Sequence, residues 1–344
     1  MNSIRTCGQR GENVSADSSK PINTVQAINM ALADAMEEHD NVFLLGEDIA
    51  DEEDGGVMGV TKGLSSRFGT SRVRTTPISE QAIIGAAIGA AIAGMRPVAE
   101  IMLMNFTTVA MDMIVNHAAK LRFMSGGQTQ VPLTIRTMTG VGLGTGGQHA
   151  DYLEAWFAHV AGLKVVAPSC PADAYGLMLS CIEDDDPCLF IENLPSYWAA
   201  GDPPQRGLRI PLGKAAVLRE GTDVTLIGYS RLMDDVLAAA DTLRGEGVSV
   251  EVIDLRTVSP LDSDTVMGSV AKTRRAIVVH EAVRNCGIGA ELAARIQEEL
   301  FGQLAAPVIR LASADCPVPF SKELETAFCP DQTRIESAIR QILV

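Results

Sequence analysis

Two residues in this chain have the type and setting to do chemistry. Glu80 closes the segment Thr76-Pro77-Ile78-Ser79-Glu80 and is followed by an uncharged run from Gln81 to Met95. Proline disfavours a helix interior and serine is a favoured N-cap, so a helix is predicted to start at Ser79 or Glu80. Ala, Ile and Gly cover every face of it, the pattern of a buried helix, and Glu80 is therefore expected where a packed core begins. The positive helix end favours the carboxylate by roughly 0.3 to 1 kcal/mol, while burial raises its pKa by several units. If burial wins, Glu80 holds or shares a proton near neutral pH; a capping acid without chemistry is the plainer reading.

The second residue is His149. It follows the glycine-rich run Gly140 to Gly147, with Gln148 before it and Asp151 after it. Glycine lets backbone approach a ligand, and an imidazole on a loop titrates near neutrality. The run lacks the spacing into a helix that a phosphate-binding loop requires, and no Walker-type Gly-Lys-Ser/Thr occurs. His39, His117 and His159 read as solvated or structural. His280, with Glu281, ends a strand of the second half, where open α/β sheets bind ligands, and is a second candidate.

These side chains need a scaffold, and from Ile22 onward helix and strand patterns alternate. Helices are predicted over Thr24 to Glu38, after Pro77, over Thr107 to Met124 and over Pro171 to Ile182. Strands are predicted over Val42 to Leu45, Pro97 to Met102, Pro132 to Arg136, Leu163 to Ala167 and Cys188 to Glu192. Uncharged strands between helices predict a sheet covered on both faces. Residues 196–209, with Gly201, Pro203, Pro204 and Gly207, read as a linker. A second alternation follows, with strands Val224 to Tyr229, Val250 to Leu255, Arg275 to His280 and Pro307 to Leu311. The expected organisation is a mobile tail over 1–20, an α/β domain over 21–195, the linker, and an α/β domain over 210–344.

With 344 residues, 47% of them apolar and only 4% aromatic, the chain suits two tightly packed α/β units. A formal net charge of -15 argues against a nucleic-acid surface. The seven cysteines show no Cys-x-x-Cys or zinc-type spacing and read as reduced cytosolic thiols. The first 20 residues have no signal-peptide core, and the longest apolar run, Ala82 to Met95, is too short to span a bilayer. A soluble cytoplasmic protein, without nucleic-acid or membrane partners, is expected.

Several ordered motifs carry a family resemblance: Gly46-Glu47-Asp48, Gly59 to Leu64, Thr76 to Glu80, Asn116 to Lys120, Met124 to Gly127, Gln148-His149, Ala161 to Val166 and Asp254 to Asp262. From about Ile22 to Leu343 the chain resembles the β subunit of the thiamine-diphosphate-dependent decarboxylase component of 2-oxo acid dehydrogenase complexes. Gly55 to Lys62 looks most like the acetoin type. The resemblance implies an α/β fold of two doubly wound domains, a transketolase-like pyrimidine-binding domain followed by a transketolase C-terminal-type domain. It implies that Glu80 hydrogen-bonds N1′ of the cofactor's aminopyrimidine, favouring the tautomer whose 4′ nitrogen takes the thiazolium proton. By position Ile78, Met102 and Phe106 match residues that pack that ring, for which ordinary core is the alternative. Glu47 matches an acid in the passage between two cofactor sites, with structural burial as the alternative. His149 matches the histidine that orients or protonates the substrate-derived species and helps its transfer to a lipoyl group.

Leu133, Cys181, Ile182, Asp184 and Asp186 resemble a potassium site of some relatives, where a solvated helix end would explain the acids equally. The family binds the diphosphate through magnesium on a Gly-Asp-Gly motif, which this chain lacks. An α subunit is therefore implied to hold the magnesium, in an α2β2 heterotetramer that works with a lipoylated acyltransferase. Ile335 to Val344 is implied to dock that acyltransferase; packing onto its own domain is the alternative. Ala150-Asp151 stands where the family often has Ser-Gln. The competing functions are a biosynthetic thiamine-diphosphate-dependent carboligase, which hands the acyl unit to a carbonyl acceptor, and a non-catalytic assembly subunit.

Overall fold

A computed structural model of the chain describes residues 20–344. The tail expected over 1–20 lies, Lys20 excepted, outside the described residues. The strands in chain order are β1 (Ile22–Asn23), β2 (Val42–Gly46), β3 (Val73–Thr75), β4 (Arg96–Leu103), β5 (Thr134–Thr139), β6 (Lys164–Val166), β7 (Cys188–Asn193), β8 (Ala200–Gly201), β9 (Ala216–Arg219), β10 (Val224–Gly228), β11 (Val250–Asp254), β12 (Thr257–Ser259), β13 (Ala276–Val283) and β14 (Ile309–Ser313).

Six of them form a parallel set in the order β6-β7-β5-β4-β2-β3, and β12 adds an antiparallel edge beside β6. Alternation along each strand divides the core into two layers, because successive side chains point to opposite faces. Val42 and Leu44 of β2, Val98 of β4 and Phe190 of β7 pack on the helices Thr24–Glu38 and Pro171–Glu183. Phe43, Leu45, Ile101 and Ile191 pack on the helix Glu80–Ile92. The helix Thr24–Glu38 starts where expected because Asn23 and Gln26 form a reciprocal capping box, with bonds of 2.9 and 3.0 Å.

The second sheet runs β14-β13-β10-β11-β9, parallel except for β9. One of its faces carries the helices Met233–Gly245 and Gln332–Leu343, with Val236, Ala240, Leu243, Ile335, Ile339 and Ile342 in one cluster. The apolar stripe of the carboxyl-terminal helix is thus used within the chain. The opposite face shares a core with the first sheet, where Tyr229, Ile253 and Val258 meet Phe157 and Val165. The segment 196–209 is tied to the first sheet's helices: Gly207 N–H donates to Tyr175 Oη, and Arg206 pairs with Asp34.

Three features differ from the sequence reading. The helix expected over Thr107 to Met124 is broken into a tight turn (Met104–Thr108), a π-helix (Met113–Ala118) and a short α-helix (Leu121–Met124). The Thr107 and Thr108 hydroxyls donate to the carbonyls of Met104 and Asn105, competing with a regular ladder. The helix Glu80–Ile92 is buried only along Ile83, Ile84, Ala87, Ile88 and Ala91; Gln81, Ala82, Ala86, Gly89 and Ile92 face outward, because a helix on a sheet covers it with one face. The strands are not free of charge either. Glu100 of β4, Arg136 of β5 and Glu192 of β7 form a triad across three neighbouring strands, with Arg136 and Glu192 buried and Glu100 partly so.

In that triad Arg136 donates Nε and Nη2 to Glu192 at 2.7 and 2.9 Å and Nη1 to Glu100 at 2.6 Å. Burial pushes the Glu100 carboxyl up, opposed by Arg136. Replacing Arg136 by Met leaves both carboxylates facing an apolar stem. A loss of about 3 to 5 kcal/mol is expected in urea unfolding; a loss below about 1 kcal/mol would show that the triad does not hold the sheet.

Candidate functional site

β2, β3, β4 and β5 are parallel neighbours, so their carboxyl ends open on one edge, where ligands of open α/β sheets bind. The register aligns Gly46 with Thr75 and Leu103 with Met138. Glu47 therefore follows directly from β2, the Thr76 to Glu80 turn from β3, Met102 and Phe106 from the end of β4, and the His149 loop from β5. The Thr76 N–H donates to the Gly46 carbonyl at 2.9 Å and holds the first two together.

Glu80 is half-buried at the start of its helix. Burial pushes the Glu47 carboxyl up; the nearby Glu80, Asp48 and Glu100 carboxylates add to this, and a hydrogen bond from the Ser79 backbone opposes it. Glu47 and Glu80 thus form an acidic pair at the helix mouth. Ile78 is 82% exposed, so it projects away from this chain rather than into its core. Met102 and Phe106 are half-buried below the mouth and pack on the core. The Phe106 ring meets His149 edge to face, with centroids 5.7 Å apart at 73°. The acidic pair, the apolar pair Met102 and Phe106 and the imidazole thus lie on connections that leave the same edge of the sheet.

Asn105 buckles the His149 loop and was missed in the sequence. Its Nδ2 donates to the Gly147 carbonyl at 3.2 Å and to Asp151 Oδ2 at 2.9 Å, and its Oδ1 accepts from the Asp151 N–H at 3.2 Å. Its position, one residue before Phe106, was the available signal. The Thr139 hydroxyl donates to the Asp151 carbonyl at 2.8 Å. The second candidate, His280, is fully buried within β13 of the second sheet. Its ring stacks on Tyr229 at 6.4 Å and abuts Gly287 and Gly289, and burial pushes its pKa down to about 4.

The residues matched to a potassium site lie elsewhere, at the amino-terminal ends of β4 to β7. Arg96 Nη1 donates to the carbonyls of Ile182 and Asp184, both at 3.0 Å. The Leu133 carbonyl accepts from the Cys188 N–H, and the Cys181 carbonyl from the Asp184 N–H. Lys164 bonds both Asp184 oxygens at 2.6 Å, and Arg122 bonds Asp186 at 2.7 Å. Positive charge at this acidic turn is supplied by the chain itself. A bound cation would have to use the second lone pairs of these carbonyls.

The donor set at the carboxyl edge fits one half of a cofactor: an apolar wall for a flat ring and a carboxyl group to meet a ring nitrogen. Nothing in it neutralises a diphosphate. Among the described residues no helix is long and apolar enough to cross a membrane.

Comparison with known proteins identifies both halves of the chain. The family model for the transketolase pyrimidine binding domain matches residues 20–197, and that for the transketolase C-terminal domain matches 213–335. The chain is 43% identical over 332 residues to the β subunit of acetoin:2,6-dichlorophenolindophenol oxidoreductase of Bacillus subtilis, covering 94% of this chain and 97% of that one. It is 43% identical over 329 residues to the 3-methyl-2-oxobutanoate dehydrogenase β subunit of Mycobacterium tuberculosis, covering 95% and 94%. It is 44% identical over 312 residues to a pyruvate dehydrogenase E1 component β subunit of Staphylococcus epidermidis, covering 90% and 95%. The solved structure of a split-gene transketolase, an inactive β4 tetramer, has the same fold, with a TM-score of 0.78 at 21% identity over 94% of this chain and 99% of that one.

Beneath the His149 loop, Glu154 is fully buried and accepts a hydrogen bond from Tyr229 Oη at 2.7 Å. Burial pushes its pKa up to about 8 from an ordinary 4.5. A raised carboxyl pKa stabilises the fold below the unfolded value, and that stabilisation is lost as pH rises toward 8. Glu154→Gln, which cannot ionise, is expected to gain stability relative to the parent as pH rises from about 4.5 toward about 8, as read by thermal unfolding. A constant difference across that range would contradict the buried proton.

Proposed function

Since the chain belongs to the β subunits of acetoin and 2-oxo acid dehydrogenases, built from the two transketolase domains, we propose that it works as the thiamine-diphosphate-dependent β subunit of such an enzyme. Joined to an α subunit, it cleaves the carbon–carbon bond beside a carbonyl and passes the acyl unit to a lipoyl group of an acyltransferase. The observation that carries the reading is the gathering at one sheet edge of the acidic pair Glu47 and Glu80 at a helix mouth and the Phe106–His149 ring contact. The units acting here are 21–195 and 210–344, joined by 196–209.

Bound thiamine diphosphate supplies the electron sink for the cleavage. Glu80, half-buried at the helix start, would hydrogen-bond the pyrimidine nitrogen of the bound cofactor and share its proton. Glu47, whose charged form is disfavoured by burial and further by the neighbouring Glu80, adds a second carboxyl group at the mouth. Met102 and Phe106 cover one ring face and exclude water, and the exposed Ile78 completes the wall against the partner. His149, braced on Phe106, orients the substrate oxygen and moves a proton to or from it.

The lack of Gly-Asp-Gly supports a reading in which the α subunit holds magnesium and the diphosphate. The outward stripe Gln81, Ala82, Ala86 and Gly89 offers small residues on which another chain can pack closely, which supports an α2β2 assembly. Potassium at Leu133, Cys181, Ile182, Asp184 and Asp186 would brace the far end of the sheet rather than the chemistry. The six described cysteines are free thiols, which supports a cytoplasmic setting. Gly55 to Lys62 favours acetoin as substrate, with pyruvate and 3-methyl-2-oxobutanoate as the comparison substrates.

Glu80→Gln in the reconstituted α/β enzyme is expected to lower turnover at least about 100-fold while the variant elutes with its α subunit at the parent's size. Turnover within about threefold of the parent would remove Glu80 from the mechanism.

A further inference from the structure

The loop that carries His149 is held from outside its own domain. Glu281, on β13, accepts the Val141 N–H at 2.6 Å through Oε1 and the Asn193 side-chain amide at 3.0 Å through Oε2, with Arg231 Nε 3.6 Å away. Glu325, on the short helix Lys322–Phe328, accepts the Gly142 N–H at 2.6 Å and the Gly144 N–H at 3.0 and 3.2 Å. Both glutamates are 4% exposed. Gly142 and Gly144 have φ of 128° and 67°, which turns their N–H groups toward a single carboxylate as a backbone nest. One step further along, a side chain on Gly146 would lie 2.4 Å from the Phe320 ring, so the second domain also presses on the loop there.

This hold reaches the imidazole through few bonds. The His149 N–H donates to the Gly146 carbonyl at 3.1 Å, closing a turn directly after the clasped glycines, and Asn105 fixes the other side of that turn at Gly147. Burying a carboxylate is costly unless donors satisfy it. Among the described residues, every side-chain hydrogen bond of Glu325 comes from this loop.

We propose that Glu325, assisted by Glu281, is a positioning residue for the reaction: the second domain clasps the glycine-rich loop so that His149 stays braced against Phe106 at the cofactor edge. The inference rests on the role given to His149 above. Because Glu325 bonds only backbone amides, its removal leaves no buried cation unpaired, and Glu325→Ala is expected to assemble.

The test uses the reconstituted α/β enzyme with acetoin, pyruvate and 3-methyl-2-oxobutanoate, reduction of 2,6-dichlorophenolindophenol being the readout. Glu325→Ala is expected to lower kcat about 10- to 100-fold with KM changed less than about threefold, and Glu325→Gln, which keeps one accepting oxygen, to recover part of the loss. In a His149→Ala background the same change should cost no more than about twofold, since residues that act as a unit are not additive. Amide exchange at residues 141–149 should accelerate in Glu325→Ala while the helix Gln332–Leu343 keeps its protection. Parent-like kcat, full additivity with His149→Ala, or unchanged exchange at 141–149 would each overturn the clasp. A parent enzyme inactive on all three substrates would instead overturn the functional reading, and the exchange measurement would still decide the clasp.

Discussion

The whole site depends on the parallel pairing of β2, β3, β4 and β5. Parallel strands end on the same edge, so four connections that are distant in sequence must leave the sheet side by side. That constraint gathers Glu47, Glu80, Met102, Phe106 and His149 without any of them being sequence neighbours. It is reinforced underneath by the triad of Glu100, Arg136 and Glu192, which ties β4, β5 and β7 by charge as well as by backbone. Such a triad is a poor source of net stability, yet it penalises any slip in register because a displaced carboxylate would be buried alone.

The same geometry leaves the site half-built. The wall residue Ile78 and one face of the helix Glu80–Ile92 point outward, although both are apolar or made of small residues. The proposed function accounts for this outward face: a second chain would cover it and bring the charge that a diphosphate needs. The second domain has a different task, since it shares a core with the first and reaches across to the glycine-rich loop through Glu281 and Glu325.

Much of the fold was legible because its signals are local. The helix from Thr24, the continuous apolar run of β2 and the Ser79-Glu80 helix start can each be read from adjacent residues, and the structure places those elements where the pattern puts them. What escaped the sequence depends on partners far along the chain. The sequence reading took the strands as uncharged, and Glu100, Arg136 and Glu192 each lie on a different strand; only strand order makes them a triad. Asn105 and Glu325 are unremarkable residues until the fold brings them within 3.2 Å of loop atoms. The all-apolar helix after Glu80 was read as buried on every side, because composition cannot say whether the cover comes from the same chain or another. The Thr107 to Met124 stretch failed as one helix because hydroxyl-to-carbonyl bonds at Thr107 and Thr108 outweigh its apolar period.

The central claim, a cofactor site divided between this chain and another, is tested most directly by titration calorimetry with thiamine diphosphate and magnesium. The chain alone is expected to give no magnesium-dependent heat, whereas the chain mixed with its α subunit should bind with a dissociation constant at least about 100-fold tighter than any residual binding. Magnesium-dependent binding of equal strength by the isolated chain would contradict the account.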